Sequence, residues 1–175
     1  MIKMSYTEYN KMIDFVKQFV AKPGSSRPIL EYFKLSFTGN SAIAEALDGY
    51  KAGQIQLTID DCNIDGEVIL PITDKLKKSD VFAIITVLDD EIEIKTLSRK
   101  ITFNKPKDTF FNTSGFYPKD ESTEVIGFDP ILLSDALKAF KDENTVEIEY
   151  RGVFKPLVIK SNTAQALVMP KRLSR

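Results

Sequence analysis

Histidine and tryptophan are absent from this 175-residue chain, and cysteine occurs once, at Cys62. Without histidine the chain lacks the side chain that most often acts as a general acid or base near neutral pH and most often ligates metals. No catalytic residue, metal ligand or cofactor is therefore expected, and the chain reads as a non-enzyme. A lone cysteine cannot close an internal disulfide, which excludes a cysteine-stapled secreted scaffold and leads us to expect a reducing, cytoplasmic setting. No apolar run approaches the roughly 20 residues of a membrane helix, and the opening MIKMSYTEYN lacks the apolar stretch of a signal peptide, so no membrane partner is expected. Excess charge of either sign is missing too: 24 basic and 25 acidic residues leave a formal net charge of −1. Bulk charge thus gives no warrant for nucleic-acid binding, and the placement of the charges has to decide.

What is present is a folding composition, 43% hydrophobic and 28% charged, in a chain long enough to bury a core without metals or disulfides. Residues 5–22 have a helical pattern. Ser5 and Glu8 are spaced as a capping box, Tyr9, Met12, Ile13, Val16, Phe19 and Val20 form one apolar stripe, and Pro23-Gly24 stops the run. Its outer face carries Lys11, Asp14, Lys17, Gln18 and Lys22, a mild basic bias. The period then changes to two. Phe33, Leu35 and Phe37 alternate with polar neighbours, a TGN turn at 38–40 leads to a strand from Ser41, and Ile55, Leu57 and Ile59 mark a third. Further strands are predicted at 67–72, 81–88, 91–96 and 99–104, with Asp89-Asp90 as a tight turn. Residues 105–123 read as a long connecting loop, a kind that is often functional or mobile. A second helix is predicted over 130–142, capped by Asp129 with Pro130 in its first turn and a stripe of Leu132, Leu133, Ala136, Leu137 and Phe140. Strands at 145–151, 154–160 and 164–169 follow, so a helix-then-strands order occurs twice, around a strand-rich middle.

Several motifs invite chemistry that their surroundings do not support. DCNIDGE, with Asp61, Asn63, Asp65 and Gly66, opens like a calcium-binding EF-hand loop, but the twelfth position, where a bidentate glutamate is needed, is Ile72. A polar hairpin turn is the better reading. Asp89, Asp90, Glu91 and Glu93 could form a carboxylate pair for acid–base work, and a turn followed by a solvated edge explains the same run. Cys62 has no histidine anywhere to activate it.

The tail differs from these motifs. IGFDPILLSDALKAFKDENTVEIEY at 126–150, followed by LVMPKRL at 167–173, resembles the end of the bacterial replicative sliding clamp, the beta subunit of DNA polymerase III. Phe128, Leu132, Asp135, Ala136, Leu137, Val168, Met169, Pro170, Arg172 and Leu173 carry the likeness. The first sixty residues are similar to the opening half of a clamp domain through SRPIL at 26–30 and ALDGYKAG at 46–53. The resemblance implies an α+β, clamp-like fold, with two amphipathic helices on antiparallel sheets in one clamp-type domain. That domain would comprise a helix-plus-strands half at 1–60, a strand-rich middle at 61–123 and a second helix-plus-strands half at 124–175. A full clamp chain is about twice as long and holds three domains of two helices each.

The resemblance further implies a homo-oligomeric ring around duplex DNA, with Lys11, Lys17, Lys22, Lys138 and Lys141 facing the phosphates. It also implies a pocket for short peptides from DNA polymerase and other replication or repair proteins. Asp48, Gly49 and Tyr50 would form one wall, and Leu167, Val168, Met169, Pro170 and Arg172 the other. In the family these walls come from neighbouring domains. Tyr50 stands where the family has histidine, and Lys171 where it tends to have an apolar residue. The alternative expectation is a peptide-binding adaptor or clamp mimic that takes clamp-binding motifs without encircling DNA.

Overall fold

The chain begins with a short strand, β1 (Ile2–Ser5), that runs directly into helix α1 (Tyr6–Val16). We describe it from a computed structural model that covers residues 1–175 apart from Asn63, Ile64, Ser114, Phe116, Ser174 and Arg175. Two compact units are present, Met1–Pro118 and Lys119–Arg175.

In the first unit, Ser5 caps α1 by accepting a hydrogen bond from the Glu8 amide at 3.3 Å. The reciprocal half of the box goes elsewhere, because the Glu8 carboxylate accepts from the Thr58 amide at 3.0 Å. The helix ends at Val16, six residues short of the sequence expectation, and Phe19 and Val20 continue its apolar stripe from the turns beyond. Antiparallel strands β2 (Tyr32–Thr38), β3 (Ser41–Leu47) and β4 (Ala52–Thr58) follow a 3-10 turn at Pro28–Glu31, and the two-residue β5 (Asp61–Cys62) returns to pair with β1. The same order then repeats. A strand, β6 (Gly66–Pro71), precedes three antiparallel strands, β7 (Phe82–Val87), β8 (Glu91–Lys95) and β9 (Lys100–Asn104), but a 3-10 turn at Lys78–Asp80 occupies the helix position.

The two repeats are interlocked by their leading strands. β1 of the first adds to β7 of the second, giving the sheet β5-β1-β7-β8-β9, and β6 of the second adds to β2 of the first, giving β4-β3-β2-β6. The inner faces of both sheets and the α1 stripe share one core. The alanines at 42, 44 and 46 on β3 leave room under the helix for Tyr9 and Met12. Each large side chain buried there contributes about 1.5–3 kcal/mol.

The segment that stands in for a second helix is fixed to α1 by polar contacts. The Asn10 side chain donates to the Leu76 carbonyl at 3.1 Å and accepts from its amide at 2.8 Å, Tyr9 shares a 2.6 Å hydrogen bond with Thr73, and Lys75 pairs with Asp14. At its end Asp80 is buried, and it accepts from the Ser98 hydroxyl (2.5 Å), the Thr96 hydroxyl (2.9 Å), and the Ser98 and Lys77 amides (both 3.1 Å). These donors, led by the Ser98 hydroxyl, hold its carboxyl at about 2 against an ordinary 3.8.

The predicted loop beyond β9 is anchored where it crosses the four-stranded sheet. Phe110 is buried with Ile29, Leu30 and Leu47 in a small second core, and Thr113 donates to Glu45, which also pairs with Lys34 at 3.0 Å.

The second unit contains one repeat. Helix α2 (Pro130–Lys138) is capped by Asp129, which accepts from the Ile131 amide at 2.9 Å and the Leu132 amide at 3.4 Å. It lies on a three-stranded sheet, β10 (Glu147–Glu149), β11 (Leu157–Lys160) and β12 (Gln165–Val168). The core here is small: Phe140, Ile159 and Val168, with Phe128, Leu133 and Ala136 packed against them.

Candidate functional site

The five lysines expected to face DNA are all exposed, and none is packed into the interior. The shortened helices change where they stand. Lys11 and Lys138 lie on α1 and α2, Lys17 is the C-cap of α1, and Lys22, in irregular chain, and Lys141, in a turn, fall beyond the helices rather than on them. Three are partly neutralised by a carboxylate one helical turn earlier: Lys11 by Glu8 at 3.7 Å, Lys17 by Asp14 at 2.5 Å and Lys138 by Asp135 at 3.0 Å. Lys17, and then Lys75, hold the Asp14 carboxyl below its usual range. Lys22 and Lys141 have no ion-pair partner among the described residues.

The sequence reading overlooked Lys75, Lys77 and Lys78. All three are exposed on the segment pinned to α1, and they therefore stand on the flank of the helix that carries Lys11 and Lys17. The signal was the run Lys75-Leu76-Lys77-Lys78, whose one apolar residue, Leu76, is buried and turns the lysines outward.

The Asp48-Gly49-Tyr50 turn joins β3 to β4. The Asp48 carboxylate accepts from the Tyr50 amide at 2.9 Å and the Lys51 amide at 3.0 Å, contacts that lower its pKa, and Gly49 takes φ +94°, a conformation that favours glycine. Gly49, Tyr50 and Lys51 border a groove of about 390 Å³ whose floor is Leu30, Leu47, Ala52 and Phe111, with Arg27 at its rim. Tyr50 is fully exposed, which leaves its ring free to meet an occupant. Arg27, Leu30, Leu47 and Phe111 were not foreseen. Phe111 belongs to the loop that length and turn composition had marked, whereas Arg27 and Leu30, joined in one turn by the Leu30 amide donating to the Arg27 carbonyl at 3.0 Å, meet Leu47 only through the sheet.

The other expected wall belongs to the second unit. Val168 is a core residue there, buried with Phe140 and Ile159, so it does not line a surface pocket. Leu167 and Met169 are exposed on either side of it, Pro170 is half-buried and Arg172 is exposed. The tail is tied down: the Lys171 amide donates to the Gly127 carbonyl at 2.8 Å and the Lys171 ammonium lies 3.5 Å from Asp129. The Asp129 carboxyl lies below the usual range chiefly because it accepts from the Ile131 and Leu132 amides, with Lys171 adding to this.

The discarded motifs have structural roles. Asp61 and Cys62 form β5, Asp65 accepts from the Gly39 amide at 3.1 Å, and Asn63 lies outside the described residues. No cluster of metal-ligating side chains occurs among the described residues. Asp89 and Asp90 make the exposed β7–β8 turn, and Glu93 is paired with Lys100 at 2.5 Å. No described helix is long and apolar enough to cross a membrane.

No family model and no curated protein matches the sequence. Solved structures do match. The sliding clamp of Bacillus subtilis DNA polymerase superposes with a TM-score of 0.74 at 15% identity, over 98% of this chain and 49% of that one. The beta chain of DNA polymerase III from Streptococcus pneumoniae gives 0.79 at 14% identity, over 98% and 49%. The clamp of Pseudomonas aeruginosa gives 0.78 at 16%, over 97% and 50%. The likeness therefore runs through the strand-rich middle as well as the two ends that carry the sequence resemblance, and the chain spans about half the length of the clamps it matches. This chain has the α+β fold of the bacterial DNA sliding clamps.

Proposed function

We propose that the protein is a non-catalytic, sliding-clamp-type factor that tracks along duplex DNA as an oligomer and serves replication or repair. The observation that carries this reading is the clamp fold over 98% of the chain with its helix lysines outward. A tracking protein needs weak, sequence-independent contact with phosphates and a topological hold on the duplex. Exposed lysines that already share carboxylates, on a body of net charge −1, suit such contact, whereas a strongly basic protein would stick. Lys11, Lys17, Lys22, Lys75, Lys77, Lys78, Lys138 and Lys141 are the proposed phosphate-facing set. Because the chain spans about half of a clamp, closing a ring takes several copies.

The groove beside Tyr50 is the proposed landing site for short peptides of a polymerase or another replication protein, with apolar anchors on Leu30, Leu47 and Phe111 and a polar rim at Arg27 and Lys51. Leu167, Met169 and Arg172 are the proposed contacts on the second unit.

Retention on DNA provides the test. Protein loaded on a nicked circle should elute with it at a salt concentration that dissolves simple ion pairing, and linearising the circle should release it. Equal loss from circles and lines would overturn DNA tracking. Peptide binding that survives in a protein without retention would identify an adaptor.

A further inference from the structure

Within the first unit, each repeat lends its leading strand to the other. β1 lies against β7, the first strand after the helix position of its sister, and β6 lies against β2, the corresponding strand of the first repeat. β1 also pairs with β5, the stretch just after the third strand of its own repeat. The second unit reproduces this last contact: its leading segment, Val125–Phe128, is bridged through Gly127 to Lys171, just after β12. Two strand edges that a sister repeat fills in the first unit carry no strand here among the described residues. They are the outer edge of β10 and the far side of the leading segment. Each is what the other needs, and a two-fold axis matches both at once.

We infer that the second unit is completed by the second unit of another copy of this chain, the leading segment of each lying antiparallel on β10 of the other. Side-chain burial has the pattern that such an omission leaves. Ile148 on β10 opposes Ile159 on β11 and so shares its face, yet Ile159 is 0% exposed and Ile148 57%. Leu137 follows its N-cap by the same number of residues as Ile13 does, yet it is 40% exposed against 2%. Val125–Phe128 carries no charge, and Glu149 on β10 is already held by Lys160 and Arg151, so this pairing does not set two unmatched charges against each other at that position. The register follows from the first unit. Ile126 precedes its N-cap by the same interval as Ile2, which opposes Ile85. Ile85 in turn opposes Ile94 as Ile148 opposes Ile159, which sets Ile126 of one copy against Ile148 of the other.

The inference stands on strand order and burial, so a paired protein that fails to stay on circular DNA overturns the tracking function and leaves the pairing intact. The test uses the whole chain. Sedimentation from sub-micromolar to tens of micromolar should give an assembly with an even number of 19.8 kDa chains. Ile148→Asp should reduce it to half that number or fewer. Since that variant could instead unfold the second unit, a separate measurement covers the same contact. Ile126→Cys and Ile148→Cys, each in a Cys62→Ser background, are prepared separately, mixed and oxidised. A disulfide joining position 126 of one chain to position 148 of the other is expected. A single-chain mass at every concentration, an odd number of chains, or a mixture in which these cysteines do not join would overturn the pairing.

Discussion

The helices α1 and α2 have similar caps and similar apolar spacing, but they end in different surroundings. α1 buries Tyr9, Met12, Ile13 and Val16 completely in a core closed by two sheets. α2 has no fully buried residue within its span, and only Leu133, Ala136 and the following Phe140 pack against a three-stranded sheet. Among the described residues a sister repeat packs against α1 and none packs against α2, and the difference lies there, not in the helix. An amphipathic stripe therefore records a need for burial and does not specify which chain supplies it.

The largest expected effect tests that asymmetry in the core. Ile13→Ala should cost about 2–5 kcal/mol, measured by denaturant unfolding. Leu137→Ala, at the equivalent place in α2, should cost under about 1 kcal/mol in dilute protein and more at concentrations where copies associate. Equal costs at all concentrations would erase the distinction between the two units.

Gly127→Ala comes next. A Cβ there would lie 2.7 Å from Leu173 Cδ2 and 2.8 Å from the Lys171 carbonyl oxygen, so the bridge that ties the tail must open. The second unit should lose about 1–3 kcal/mol while the first keeps its unfolding transition, as followed by hydrogen exchange at α1 and β11.

Acid should strain the first unit at one identified point. The Asp80 carboxyl lies at about 2, below its ordinary 3.8, so its contribution to stability is complete above the unfolded value and is lost as pH falls from about 4 toward 2. Asp80→Asn should flatten that part of the acid titration and leave the second unit unaffected. An unchanged titration would show that the carboxylate does not hold the segment in place of a helix.

The smallest effects concern phosphate contacts. Lys77→Glu and Lys78→Glu should weaken DNA binding by similar factors whatever the sequence, and each lost contact should lower the slope of log affinity against log salt by about 0.9. Lys11→Glu should act less strongly, because Lys11 already shares Glu8. Binding that is unchanged in all three would move the DNA face elsewhere.

Much of this architecture was legible in the sequence because its signals are local. The alternation Phe33, Leu35, Phe37, the Asp89-Asp90 turn, and the cap formed by Asp129 and Pro130 each fix an element within a few residues, and all lie where expected. β1 was missed because its four residues abut the cap of α1 and are set in place by β7, some eighty residues later. Both helices were read too long, since Phe19 and Phe140 keep the apolar period going while the backbone has already turned. The groove was half visible. Asp48 and Gly49 announce a tight turn, whereas the turn that holds Arg27 and Leu30 meets Phe111 and Leu47 only through long-range packing. Val168 was assigned to the surface by the motif around it, and its neighbours Phe140 and Ile159 place it in the core.

Amide exchange at β10, compared with β2, probes the difference between the two units most directly. The outward amides of Glu147–Glu149 should be protected in concentrated protein nearly as well as those of β2, which β6 covers, and should lose that protection on dilution while β2 keeps its own. Rapid exchange at β10 at every concentration would contradict the claim that a second copy completes this unit.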